Sequence, residues 1–413
     1  MPKSPPDLPL LLPSGDPAQR VTIQGTTFSD GLFAPAAPET RTSTPLLWGV
    51  LAWYRRQLQK VLGLHCKPNI SVMTQNLYLG ADLSPITAAS NQQTLVAAAT
   101  QVYAQVQSTN FTERADSLAE EISTSRPVVV GLQEAALWRS QSPADFSPTP
   151  NATHVEYDYV QILLDKLAAN GTPYTAVATY TGADFEVPIT TVSGLEDIRW
   201  TDRDVILIRA DVPGTKVSHL PGSKVTFSNP QSDAFQTAAT FSNPALGKVT
   251  FPNGWASVDL TIGRQTVRVV TTHLEPNDPA VQVAQGNELL AGPLNTSLPL
   301  ILIGDLNSAA GGIGATPGQT DTPTYANIIA AGFTDAWSQA NGDVPGPTCC
   351  HAADLRNTTS SLTERDDVIL SRGLTASSVR LVGEVPSDRT STGLWPSDHA
   401  GIVGILHLTR KGR

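Results

Sequence analysis

Sulfur and charge are both scarce in this chain. Its 413 residues include three cysteines and two methionines, and only 15% are Asp, Glu, Lys or Arg. Cys66, Cys349 and Cys350 form no Cys-x-x-Cys pair and no Cys/His spacing of the zinc type, which excludes zinc as an organising device. Adjacent cysteines rarely bond each other, because neighbouring positions strain the bridge. A bridge from Cys66 to Cys349 or Cys350 and three free thiols stay equally open. No run of about 20 apolar residues is present, so no segment reads as a membrane-spanning helix. Basic residues are outnumbered 27 to 37, giving a formal net charge of −10 and a pI near 5.1. A protein that draws its affinity from duplex phosphates presents a basic face. The overall field here repels nucleic acid, which is therefore disfavoured as a partner. The opening residues carry a single Lys, and the short apolar run 10–12 lies between Pro9 and Pro13, so no convincing signal peptide is read. Secreted and cytoplasmic locations both stay open.

What is present is enough apolar residue, 40%, for a full core. Residues 1–45, rich in Pro, Ser, Thr and Ala without a period, read as a loosely ordered extension. In 46–68, Leu47, Leu51, Tyr54, Leu58, Val61 and Leu62 recur at intervals of three and four. That segment reads as an amphipathic helix and linker. The helix either docks on the following domain or touches a membrane surface through residues 46–64. Residues 69–410 are expected to form the working domain of a monomer. Within it, helices are expected over 94–106, 112–123, 155–169 and 281–290, with strands over 175–179, 205–208, 367–370, 376–382 and 401–406. Between 240 and 270 three strands broken by turns at Pro252-Asn253-Gly254 and Gly263 read as antiparallel pairing. Residues 311–324 and 344–361 read as long loops.

The stretch 299–307 organises the domain. Its run 300–303 is apolar without a polar break, the mark of a strand buried on both faces. Gly304 ends it, and Asp305 and Asn307 follow. Residues two apart in an extended exit point the same way, so a carboxylate and a carboxamide leave the strand together. Four further strand-like stretches deliver a polar group at or near an end: 70–76 delivers Asn76, 128–134 delivers Glu134, 267–273 delivers His273, and Ser397-Asp398-His399 precedes the last strand.

This series resembles the endonuclease/exonuclease/phosphatase superfamily, the DNase I-like metal-dependent phosphohydrolases. The matching signatures, in order, are Gln75-Asn76, Leu132-Gln133-Glu134, Thr272-His273-Leu274, Gly304-Asp305-Leu306-Asn307, Arg365-Asp366-Asp367 and Ser397-Asp398-His399. The resemblance implies a mixed α/β (α+β) four-layer sandwich, two packed mixed or antiparallel β-sheets flanked by helices. It implies a hydrolase of phosphoester bonds, most simply a phosphodiesterase, with Mg²⁺ as cofactor and Mn²⁺ as an alternative. Asn76, Glu134 and Asp398 are the expected metal residues. Asp305 is expected to orient and deprotonate water, Asn307 to hold Asp305, and His273 and His399 to donate to phosphoryl oxygens. Asp367 is expected to orient His399, although Asp366 stands where an apolar residue is usual. The segment before the 205–208 strand offers Arg203 and Asp204 as substrate contacts, with Asp202 and Asp204 otherwise read as solvated charges at the start of the strand. The interval between Asn76 and Glu134 is longer than the family's minimal form, so an extra helix is expected there. A nuclease, a sphingomyelinase-like phospholipase, an inositol-phosphate phosphatase and a catalytically silent binding protein share this core.

Overall fold

The structure, a computed structural model, describes residues 69–147, 149–210 and 225–409. The expected extension over 1–45, the helix and linker over 46–68 and Cys66 lie outside the described residues. The strands are β1 (Asn69–Asn76), β2 (Val129–Gln133), β3 (Leu137–Gln141), β4 (His154–Asp158), β5 (Tyr174–Thr191), β6 (Gly194–Arg209), β7 (Val225–Ala234), β8 (Ala239–Asn243), β9 (Gly247–Phe251), β10 (Gly254–Ile262), β11 (Gln265–His273), β12 (Leu300–Asp305), β13 (Thr334–Asp335), β14 (Asp367–Arg372), β15 (Leu374–Val382) and β16 (Gly401–Leu408).

One sheet runs β15-β16-β1-β2-β6-β3-β4, with β5 added through β6; the other runs β13-β14-β12-β11-β10-β7. Each holds one parallel pair, β1–β2 and β11–β12. Period-two alternation explains how they stack. In β12, Ile301 and Ile303 join Val72, Val129, Ile206 and Val269 in the core between the sheets. Leu300 and Leu302 face the other way, into a core with Leu289 and Ile328 from the helices Pro279–Ala291 and Thr324–Ala330. Both faces are thus buried, which is why 300–303 has no polar break. Over the first sheet lie the helices Gln92–Ser108, Phe111–Ser125 and Tyr159–Ala169. The order is helix, sheet, sheet, helix, the four-layer arrangement expected from the resemblance.

Three local expectations change. Residues 155–158, expected to open a helix, belong to β4; the helix starts at Tyr159, capped by Asp158, whose carboxylate accepts from Gln161 N–H. The expected strands at 175–179 and 205–208 are parts of the much longer ribbon β5–β6. The strand before Pro252 does not pair with the one after it: β9 pairs only with β8, while β10 pairs with β7 and β11. Proline cannot donate to a ladder, and here it joins two sheets rather than closing a hairpin.

Arg114 ties the helix Phe111–Ser125 to the end of β1. It is fully buried, and its guanidinium donates to Thr109 O, Leu77 O, Tyr78 O and Pro396 O at 2.8–3.1 Å. Arg114→Met would strip these carbonyls of a partner. The expected cost is about 3 kcal/mol, each orphaned acceptor carrying its desolvation penalty. Urea unfolding of the two proteins checks it.

Candidate active site

Between the sheets, the residues that face inward change character toward one end. First come Thr74, Gln133 and Thr271, joined across the gap by Thr74 Oγ1 to Gln133 Oε1 (3.1 Å) and Gln133 Nε2 to Thr271 Oγ1 (2.8 Å). One step further along each strand lie Asn76, Glu134 and His273. Strand register does the placing. His273 pairs with Asp305 across β11–β12, and Asp305 pairs with Asp367 across β12–β14. Three chemically active side chains therefore stand in a row on neighbouring strands. Gly304 makes the row possible: its φ is +149°, and a Cβ there would sit 2.1 Å from Thr272 O.

The opposite sheet meets this row. Asn76 Nδ2 donates to Glu134 Oε1 (3.0 Å) and Asp305 Oδ2 (3.2 Å), while its Oδ1 accepts from Tyr78 N–H (2.9 Å). Glu134 Oε2 accepts from Leu79 N–H at 2.8 Å. Asp305 Oδ1 accepts from Asn307 N–H at 2.9 Å, and Asn307 Nδ2 donates to Leu274 O at 2.9 Å. Glu134 and Asn307 both hold positive φ, 50° and 46°, which turns their side chains off the strand direction. Asp305 Oδ2 lies 3.8 Å from His273 Nε2 and 3.8 Å from His399 Nδ1. His399 Nδ1 lies 2.8 Å from Asp367 Oδ2, and His399 Nε2 lies 4.0 Å from Asp398 Oδ1.

Charge crowds here. Burial alone would depress both imidazoles. Against it, Asp305, Glu134, Asp204 and Asp202 hold His273 up at about 9, and Asp367 and Asp398 hold His399 well above the usual histidine range. The acids respond in turn. Burial, reinforced by Glu134 and opposed by His399, pushes Asp398 up to about 7; burial also raises Asp367. An excess of negative charge in one dry place is the setting a cation completes. Buried oxygens without a hydrogen-bond partner among the described residues include Asp202 Oδ1, Asp204 Oδ1 and Asp367 Oδ1. Asp305, Asp367 and His399 each offer a ligand atom within 4.8 Å of the others. The set is rich in hard oxygen donors, with Glu134 and Asp398 beside it, and it fits a divalent cation of the magnesium or manganese kind.

Of the residues singled out in the sequence, Asn76, Glu134, His273, Asp305, Asn307, Asp367, Asp398 and His399 come together. Asp204 is buried and joins them electrostatically through His273 and Glu134; burial first, then Asp202, raises it well above the carboxylate range. Arg203 does not join. Alternation along β6 turns it to the other face, where it donates to Ala135 O, Ala136 O and Asp158. The same alternation brings in Asp202, which the sequence had suggested was solvated: it is pushed up to about 6 by burial, with His273 and Glu134 acting on it in opposite senses. The ambiguity over Asp366 also closes, since Asp367 holds His399 and Asp366 sits on the alternate side, buried and pushed up to about 8 by burial and Asp305.

The cysteines correct an expectation. Cys349 and Cys350 are bonded to each other, and Cys350 Sγ lies 3.6 Å from His399 Nε2. Their segment is pinned on every side. Cys349 N–H donates to Glu364 O, Thr348 Oγ1 accepts from Asp366 N–H and Asp367 N–H, Thr348 O accepts from Ala400 N–H, and His351 N–H donates to Asp398 O. The loop expected over 344–361 is therefore a strap that holds both Asp367 and His399. Its residue types gave no periodic signal from which this could be read.

Comparison with known proteins agrees with the geometry. No curated protein matches the chain. An endonuclease/exonuclease/phosphatase family protein from Bacteroides thetaiotaomicron is similar in structure, with a TM-score of 0.50 at 12% identity over 84% of this chain and 100% of that one. A protein of the same family description from Leptotrichia buccalis C-1013-b aligns with a TM-score of 0.47 at 16% identity, over 82% of this chain and 100% of that one. D. rerio TDP2, complexed with a single strand DNA product, gives a TM-score of 0.47 at 18% identity, over 82% and 99%. Of these only the first, with its TM-score of 0.50, bears on the fold, and at 12% identity on the fold alone. The family model described as Endonuclease/Exonuclease/phosphatase family spans residues 73–399, most of the chain and every strand-end residue of the site. The chain belongs to the endonuclease/exonuclease/phosphatase family.

Proposed function

We propose that the protein is a Mg²⁺-dependent phosphodiesterase. The observation that carries this reading is the position of Asp305: in register between His273 and Asp367, with one carboxylate oxygen 3.8 Å from each of two imidazoles and 3.2 Å from Asn76. Such a carboxylate can take a proton from water while the imidazoles face the phosphoryl group it attacks.

Glu134 and Asp398 would hold the cation, with Asn76 contributing its oxygen after rotation of the amide away from Tyr78. When bound, the cation neutralises phosphate charge and fixes the phosphoryl group in place. The chain's own residues supply the rest. Asn307 N–H fixes one oxygen of Asp305 and leaves the other for the proton of the attacking water. Asp367 holds His399 Nδ1–H and sets its tautomer, which leaves Nε2–H, 3.6 Å from Cys350 Sγ, as the donor. His273 Nε2 lies across Asp305 from it, and two cationic donors receive the charge that gathers on the phosphoryl oxygens.

Hydrolysis of bis(4-nitrophenyl) phosphate with and without Mg²⁺ tests the class. A silent binding protein would show no metal-dependent turnover. Glu134→Gln keeps the shape and removes the charge. It is expected to weaken Mg²⁺ activation at least as much as the roughly 10- to 100-fold that losing an outer partner costs; unchanged activity at limiting Mg²⁺ would remove Glu134 as the ligand. The acidic balance of the chain disfavours duplex DNA as substrate. A panel of plasmid DNA, RNA, sphingomyelin and inositol phosphates at physiological salt checks this, and preferred cleavage of plasmid would overturn it.

A further inference from the structure

A cavity of about 220 Å³ lies on the helix side of the first sheet, in a region built largely by segments outside the two-sheet core. Its floor is formed by Ala99 and Val102 of the helix Gln92–Ser108, part of the extra length between Asn76 and Glu134. Its wall is the far end of the β5–β6 ribbon, and its cover is the β8–β9 hairpin, which presents Phe241, Val249 and Phe251 inward. Thr240 and Thr250, on the hairpin's other face, bond each other at 3.0 Å.

The lining is a relay of aromatic rings. Tyr103, Trp138, Trp200, Phe185, Phe251 and Phe241 follow one another with centroids 4.7–6.4 Å apart. The hairpin is latched over them by Asn243, which is 2% exposed. Its Nδ2 donates to Ile86 O and Thr87 O, and its Oδ1 accepts from Ala245 N–H and Leu246 N–H. A chain of two hydrogen bonds links the wall of the cavity to the catalytic residues. Trp138 Nε1 donates to Leu79 O at 3.1 Å, and Leu79 N–H donates to Glu134 Oε2 at 2.8 Å. One residue thus separates the aromatic wall from the carboxylate assigned to the cation.

We infer that this cavity receives a hydrocarbon tail of the substrate, which is then a phosphodiester carrying an alkyl or acyl chain. The inference rests on the phosphodiesterase reading and names its substrate class. Aromatic rings also stack nucleobases, but a base brings polar edges that must be paired when buried. Of the polar groups in the lining, Glu186 already accepts from Asn151 N–H and Ala152 N–H, Thr87 donates to Ser84 O, Thr250 bonds Thr240, and Lys248 is exposed on the hairpin. The Trp200 indole N–H is buried with no partner among the described residues, a single donor against the several polar edges of a base. A hydrocarbon makes no such demand. Apolar cavities of about 150 Å³ already take up a molecule the size of benzene, and this one is larger.

The test is a series of alkyl 4-nitrophenyl phosphates, methyl to decyl, kept below micelle formation and assayed on the full chain with Mg²⁺. Each turnover adds a water oxygen to phosphorus, breaks the bond to nitrophenolate and leaves the alkyl phosphate. The expected result is a rise in kcat/KM of about fourfold per methylene, the gain from burying one CH₂, levelling off once the cavity is full. Ala99→Phe, which fills the cavity, is expected to collapse the octyl-to-methyl ratio toward one. A second arm needs no turnover: titration with 1-octanol should change Trp fluorescence saturably. A flat chain-length profile with the methyl ester still cleaved overturns the tail site and leaves the phosphodiesterase reading standing. No metal-dependent cleavage of any ester sinks that reading, and the octanol titration then decides the cavity alone. Absence of a saturable signal overturns it, also if Ala99→Phe fails to fold.

Discussion

His399→Ala is expected to lower kcat on a small phosphodiester by roughly 10²- to 10⁴-fold, the range for removing a positioned proton donor, and to cost some stability, because it leaves the buried Asp367 carboxylate without its imidazole partner. The imidazole's shortest contact is Asp367 Oδ2, 2.8 Å from Nδ1, while Cys350 Sγ lies 3.6 Å from Nε2. Truncation leaves the surrounding strap bonded through backbone atoms that do not need the ring. The same pair sets the pH profile. Among the charges that raise His399, Asp367 is first, followed by Asp398 and Asp305. A histidine is cationic below its pKa, so the working donor is present at neutral pH and is lost as pH rises through the raised value. His273, held at about 9, is lost on the same side. Turnover should therefore fall at alkaline pH. Asp367→Asn should bring the His399 part of that fall to lower pH and slow turnover at the plateau. Superimposable pH–rate profiles for the two proteins would make Asp367 a structural residue only.

Asp305→Asn should be the most damaging isosteric change, with a loss in kcat of roughly 10³-fold or more. The amide keeps the size of the side chain and, with its oxygen turned to Asn307 N–H, keeps that hydrogen bond too. It cannot take a proton from water. It also loses the charge that leads those holding His273 at about 9, so His273 should titrate lower and the alkaline limb should move to lower pH. The two effects separate experimentally. Loss of the base lowers kcat at every pH, whereas the titration moves the limb. A variant that retained kcat and shifted only the limb would make Asp305 an electrostatic support for the histidines.

Much of this site could be read from the sequence because its residues stand at the ends of strand-like runs, the clearest being the unbroken apolar stretch 300–303 before Asp305. Ile303 before Asp305, and Val269 and Val270 before His273, announce strands covered on both faces, and a polar group at such an exit has few structural uses. In the stretch 202–204, Asp204 joins the site as read, whereas Arg203 turns away and Asp202 takes its place. Three consecutive charged residues do not mark which face is inner, and only the structure shows Arg203 bonded to Ala135 O, Ala136 O and Asp158 while Asp202 and Asp204 each keep a buried carboxylate oxygen. The cysteine strap was invisible for a related reason. Its function lies in backbone hydrogen bonds of Thr348, Cys349 and His351 and in one hydroxyl, Thr348 Oγ1, that meets the N–H groups of Asp366 and Asp367, and neither backbone groups nor a lone threonine stand out in residue type. The β8–β9 hairpin was taken as a neighbour of β10 because turn residues mark where a chain bends, not which strand it pairs with afterwards.

The row formed by His273, Asp305 and Asp367 has a consequence for how this protein tolerates change. Strand pairing acts as a ruler graduated in steps of one residue, and a slip of a single step would turn each of the three side chains to the opposite face. The strands that carry them are therefore closed to insertions and deletions. The connections between strands have no such graduation. The helices between Asn76 and Glu134 and the hairpin before β10 both fall there, in segments where chain can be added without moving any mark on the scale.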